Sequence, residues 1–409
     1  GQISLQYDSS QARRELAPSQ AEKARKLAPD SNAARFAWAM SYRFQESVDR
    51  AEVLRLHRDL AQREPDNKWV LRQVGRAFEV NGLNGSEGNE ADRAEALRYY
   101  DRAAALPGGD AIALRLKADL LFGEGRYAES EETIDRALLL RPSAGHLYTS
   151  KIRNLIALDP DLTAAQRVLE KTPPGYLLDD QGAYVASWVW LWSRNPERSL
   201  AVLRGLTHDF MDSRYYRGPR AYLTGQAHQM AGRHEAAMTD WRIALQKVGQ
   251  RLAAEPGSTP WRRWQAELLA LLGDPAAADA LQVYEQMAGI SPPRVTGATV
   301  TTYLALGRRE PVMDYIATRS QRQPDADFVG ELRHSPDLDS LRGDPRFQSA
   351  LVQAEAALAA REGVPTKAAA TSAAPVNADD KSVAVLPFVN RSVDKENEFF
   401  TDGLHDDIV

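Results

Sequence analysis

The sequence predicts an all-α chain built as a solenoid of repeated helix pairs, and three observations carry that reading. Prolines punctuate the first half at Pro29, Pro65, Pro107, Pro142 and Pro173, with gaps of 36, 42, 35 and 31 residues. Those gaps sit close to the roughly 34-residue period of a helix–turn–helix repeat. Between Asp110 and Pro142, apolar residues recur at helical spacing on both sides of Gly125, which permits a turn with positive φ, and Pro142 stops the second helix. The same texture returns at 69–107, 220–248 and 303–324, so four stretches share one design.

Taken in order, QARRELAPSQAEKARKLAP at 11–29 has the character of the second helix of a unit cut by the start of the chain, which suggests a piece of a longer protein. Weaker units fit at 32–65, 143–173, 179–206 and 261–288. At 69–82 and 94–107, small Gly75, Ala96 and Ala103 permit close helix approach while Phe78 and Tyr100 fill the space, and NGLNGSEGNE at 81–90 is an extended loop between them. In 220–248, Gly225, Gly232, Ala237, Trp241 and Ala244 repeat those offsets, with the second helix starting at His234-Glu235. A Pro- and Asp-rich turn then precedes a last helix from about Pro345, so 1–325 reads as the array and 326–360 as its closing turn and capping helix. Residues 361–380, rich in Ala, Pro and Thr, read as a flexible linker whose sparse apolar surface cannot offset its ordering entropy. KSVAVLPFVNRS and DKENEFFTDGLHDDIV, within 381–409, read as a strand and an unfinished helix opening a second, α/β domain. An isolated strand leaves its backbone groups unpaired, so this tail is expected to be dispensable for the stability of the array.

The chemistry the chain excludes is broad. It has no Cys, which removes disulfides, thiolate zinc sites and Cys nucleophiles. Lys plus Arg is 51 against Asp plus Glu 56, and the net charge of −5 provides no general field for nucleic acid. The longest strongly apolar run, AYVASWVWLW at 183–192, is far short of the roughly 20 residues of a membrane span. The seven His residues, at 57, 146, 208, 228, 234, 334 and 405, show no metal-ligand spacing. GEGRYA at 123–128 imitates a dinucleotide loop but follows a helix rather than a strand, and is read as an inter-helix turn. Asp179-Asp180 and Asp406-Asp407 read as solvated helix ends, and no nucleophile–base pair or phosphate loop stands out, so no cofactor and no catalysis are expected. Along 184–192, Tyr184, Trp188, Leu191 and Trp192 share one face while Val185 and Trp190 point elsewhere; the stretch reads first as inter-helix core, with one aromatic exposed for a partner as the alternative.

The small-residue, Gly-turn, aromatic, Ala and closing-Pro pattern, sharpest at 111–142 and 218–251, resembles the tetratricopeptide repeat (TPR), and the resemblance covers most of 10–325. It implies a right-handed superhelix whose first helices line a concave groove that holds a protein or peptide ligand. Matched offsets then select Trp69, Arg72, Arg76 and Glu79, Ile112, Arg115 and Asp119, and Tyr222, Gln226 and Gln229 as partner-binding residues. Arg72, Arg76 and Arg115 are the subset suited to forking onto carboxylates. SVAVLPFVNRS with ENEFFTDGL resembles the start of the TolB-like domain of bacterial signalling proteins that carry such arrays, and DSLRGDPRFQSAL at 339–351 resembles the segment that closes those arrays. These resemblances imply a non-catalytic scaffold or sensor in the cytoplasm, or in the periplasm behind an upstream signal. The alternatives are a regulatory region for a kinase, cyclase, transferase or winged-helix module elsewhere in a longer chain, and a structural spacer.

Overall fold

A computed structural model describes residues 11–41, 50–80, 90–158, 161–322 and 324–362. The chain divides into two compact units, Gly1–Val364 and Pro365–Val409, and every described residue belongs to the first. The expected linker from 363 onward, the TolB-like opening and the 81–89 loop lie outside the described residues.

The first unit is an all-α solenoid of stacked helix pairs. Helices α1 (Gln11–Leu27), α2 (Asn32–Ser41), α3 (Arg50–Arg63) and α4 (Lys68–Val80) pack each on the next, and α4 pairs with α5 (Glu90–Ala105). Further pairs follow: α6 (Ala111–Gly123) with α7 (Tyr127–Leu140), α8 (Gly145–Leu158) with α9 (Thr163–Leu169), and α10 (Asp180–Trp192) with α11 (Pro196–Arg204). Then come α12 (Arg220–Met230) with α13 (His234–Ala254), α14 (Thr259–Leu271) with α15 (Ala277–Met287), and α16 (Val300–Ala305) with α17 (Arg309–Gln321). The closing elements are α18 (Ala326–His334), a 3-10 turn at Pro336–Leu341 and α19 (Pro345–Glu362).

The repeat chemistry explains how the pairs close. A Cβ built on Gly75 would lie 2.5 Å from the Tyr100 ring, and one on Gly225 would lie 2.3 Å from Trp241, so in both pairs an aromatic of the second helix rests on bare backbone of the first. Tyr100, Ala96 and Ala103 are fully buried there. Gly125 (φ +82°) and Gly232 (φ +73°) take the left-handed turn between the helices. Asp110 caps α6, accepting from the amides of Ile112 and Ala113 at 3.0 Å each.

Three features depart from the sequence expectation. The aromatic of α10 offered to a partner, Trp190, is not free: it is buried, and the Arg198 guanidinium covers it at 4.4 Å. Between α11 and α12 the chain forms a short antiparallel hairpin, β1 (Phe210–Asp212) against β2 (Arg217–Pro219), with Met211 opposite Gly218. Gly218 permits it, because a Cβ there would meet the Trp264 ring at 2.4 Å. Finally, α18 turns back onto α8. A Cβ built on Gly330 would lie 3.1–3.3 Å from Trp192 and Ile156, and Arg153 of α8 binds Asp327 at 2.7 Å across 174 positions of chain. Phe328, Val329 and Leu332 are buried in an apolar cluster that also holds Ala157 of α8, Ile316 of α17 and Phe347 of α19.

Candidate functional site

The first helices of successive units share one wall, and two cavities open along it. The smaller, about 330 Å³, is lined by Ile112, Arg115 and Asp119 of α6, His146 and Ser150 of α8, Gln181 of α10, and Arg214 and Tyr215 at the hairpin tip. Asp119 is its electrostatic centre: it accepts from Arg115 Nη1 at 2.7 Å and from Ser150 Oγ at 3.2 Å, with Arg214 Nη1 at 3.6 Å. The Arg214 side chain remains 64% exposed. Tyr215 is fixed from below by Arg153, whose Nη1 donates to its hydroxyl at 3.0 Å and whose guanidinium lies 4.9 Å from its ring centre.

The residues selected at 69–79 are divided. Trp69 packs its ring on Phe36 at 3.9 Å between centroids, beside an apolar recess of about 510 Å³ lined also by Met40 and Leu60. Arg72 is largely buried and pairs with the buried, helix-capping Asp110 at 3.3 Å. Glu79 accepts from the Tyr100 hydroxyl at 2.5 Å, and burial raises both its own pKa and that of Tyr100. Arg76 is exposed, and its charge and that of Arg115 act on Glu79. Of the three arginines, therefore, Arg72 is committed to the fold, Arg115 is paired with Asp119, and Arg76 is exposed.

That division gives a test. Replacing Arg72 with Ala strands a buried carboxylate, so R72A is expected to cost about 3 kcal/mol, within the usual range for breaking one side of a buried pair. R76A should stay within about 0.5 kcal/mol of the parent. Urea midpoints check both, and equal midpoints for the two variants would return Arg72 to the surface.

The larger cavity, about 1190 Å³, runs along α10, α12, α14 and α16 and is bounded on its other side by α18 and the turn that follows. Tyr222, Gln226 and Gln229 of α12 line it. Their partners are the chain's own. The Tyr222 hydroxyl donates to Glu267 at 2.5 Å, Gln226 Nε2 donates to that hydroxyl at 2.9 Å and reaches Asp337 at 3.4 Å, and Gln229 Oε1 meets His234 Nδ1 at 2.8 Å. Glu267 also accepts from Arg263 at 2.6 Å, yet its deep burial holds its pKa up. Asp337, bonded to Thr301 at 3.1 Å, is pushed up to about 6 by burial and then by the charge of Glu267. Glu331 opens onto the cavity although protein surrounds it, and that enclosure, with Asp327 and Asp325 nearby, pushes it up to about 7.

Sequence reasoning missed Arg214, Tyr215, Glu331 and Asp337. The signal for the hairpin was present in FMDSRYYRGP, an aromatic run with a Gly-Pro end; nothing local marks 331–337 as a lining, because that placement is tertiary. Among the described residues no group of three or more His, Asp or Glu side chains is arranged to hold a metal ion, and no helix is long and apolar enough to cross a membrane.

No family model matches the chain, and no curated protein matches it in sequence. Solved structures that resemble it include the crystal structure of MamA, at 13% identity and TM-score 0.27, over 50% of this chain and 92% of that one. The TPR domain of P58(IPK) resembles it at 14% identity and TM-score 0.22, over 84% of this chain and 99% of that one. A third is the Naa15/Naa10 structure bound to HypK-THB, at 16% identity and TM-score 0.30, over 88% of this chain and 55% of the matched chain.

Proposed function

We propose that the chain is a non-catalytic, TPR-type protein-binding scaffold, and that the smaller cavity is where it takes an acidic segment of a partner. One observation carries the reading: side chains from three successive first helices and the hairpin tip converge on a single recess, with Arg115 and Arg214 both on its rim. Arg115 commits Nη1 to Asp119, and its other N–H donors have no protein partner among the described residues. Arg214 is mostly solvated, so its charge is screened until a ligand excludes water. Ile112 and Tyr215 supply apolar contact beside these donors, the mixture that preformed peptide grooves use.

The test is selection from a random peptide library on the immobilised chain. Enriched peptides should carry carboxylates, and binding should fall at least about tenfold in R115A/R214A, a loss of about 1.4 kcal/mol. Weakening should be greater at low salt, where exposed charges act further. Enrichment without acidic residues, or affinity unchanged in the double variant, would overturn the reading.

A further inference from the structure

We propose that the larger cavity binds an organic cation, an ammonium or guanidinium group with apolar shoulders. This deepens the scaffold reading and rests on it, by naming the chemistry received in the other part of the groove.

The walls are aromatic to an unusual degree. Tyr184, Trp188, Trp192, Tyr216, Tyr222 and Trp264 all line the space. Rings of this kind attract cations through their negative faces, more strongly where water is thinned. At about 1190 Å³ the cavity exceeds the roughly 300–1,000 Å³ of ordinary small-molecule sites, so a bulky amine or an extended side chain has room.

Charge decides the sign of the ligand. Four carboxylates line the space, those of Glu267, Glu331, Asp337 and Asp339, against the guanidinium groups of Arg194, Arg217 and Arg263. Every one of those cations already has an acid: Arg263 has Glu267 at 2.6 Å, Arg194 has Asp339 at 2.7 Å, and Arg217 has Asp212, outside the lining, at 2.8 Å. Glu331 and Asp337 are left without a cation, and their raised pKa values record the cost of that state. Asp327, bound to Arg153, adds negative charge beside Glu331.

The protein displays the required contact in the wall of this cavity. The Arg263 guanidinium lies 4.0 Å from the centre of the Trp264 ring while donating to Glu267. Trp188 and Trp192, 4.0 Å apart, with Glu331 and Asp337 in the same cavity, offer the same pair of elements with no guanidinium between them.

The experiment is a calorimetric titration of the whole chain with choline, with its neutral carbon analogue 3,3-dimethyl-1-butanol, with agmatine, and with a blocked Ala-Arg-Ala tripeptide. Cations should bind saturably and the neutral analogue at least about tenfold more weakly. Glu331→Gln together with Asp337→Asn should weaken the cations at least about tenfold at an unchanged thermal midpoint. Should the double variant unfold, Glu331→Gln alone, at a solvent-reached position, should still weaken them about threefold. Agmatine above the tripeptide identifies a free amine; the reverse order identifies a side chain of a partner. Equal binding of choline and its neutral analogue, no saturation by any cation, or affinity indifferent to the carboxylates overturns the inference. R115A/R214A should leave cation affinity intact, so its failure and the failure of the scaffold reading are told apart.

Discussion

Gly182→Ala is expected to destabilise the protein by about 3 kcal/mol or more, out of proportion to one methyl group. The added Cβ would lie 2.0 Å from the Tyr176 carbonyl oxygen and 2.9 Å from its carbon. Both are backbone atoms, so no rotamer change relieves the clash, and overpacking of this kind already costs 1–3 kcal/mol where side chains can yield. The 3-10 turn carrying that carbonyl is itself held, because Tyr176 is buried and its hydroxyl lies 3.0 Å from Thr149 Oγ1. On the other side, Asp179 caps α10 by accepting from the amides of Gln181 and Gly182, which fixes the start of the helix. Gly249→Ala is the control: this glycine lies inside α13 with nothing within 4 Å of its built Cβ, and the change should stabilise by about 0.5–1 kcal/mol. Urea unfolding at constant slope measures both. A Gly182→Ala midpoint within error of the parent would show that α10 slides freely over the Tyr176 turn.

Phe328→Ala is expected to cost about 3–5 kcal/mol and to split one unfolding transition into two. The first figure is the usual penalty for emptying a buried phenylalanine site, and Phe328 is only 5% exposed. The second follows from the apolar cluster Phe328 belongs to, which also holds Ala157 of α8. In a repeat array each unit touches its neighbours, and stability is a sum along a line. The contact of α18 with α8 is not along the line, and it ties 326–334 to 145–158. In the parent, the units between these helices should therefore open as one block. With the contact weakened, amide protection in α16 and α17 should fall while α6 and α7 keep theirs. Uniform loss along the whole array would contradict this account.

Much of the fold was legible because repeat chemistry is local. Gly75 against Tyr100, Gly225 against Trp241 and the Gly125 turn each follow from residue type at a fixed offset. Ile112, Arg115 and Asp119 were legible for the same reason, and they do share a cavity. What escaped depends on distant packing. Arg72 has the offset of a ligand contact, yet the capping Asp110 captures it across the next pair. Tyr222 and Gln226 face the predicted wall, but what stands opposite is Asp337, 111 positions beyond Gln226. Sequence spacing within one repeat carries no information about an element that returns from that far.

The return of α18 has a mechanical meaning. An open solenoid drawn at its ends carries the load through its joints in series, and they yield one by one. The Arg153–Asp327 bond and the packed layer around it offer a shorter load path, which bypasses the 174 positions between them. Tension would reach those units only after the brace parts. At about 3.4 Å per extended residue, the parting then frees on the order of 600 Å of chain in one event rather than in small steps.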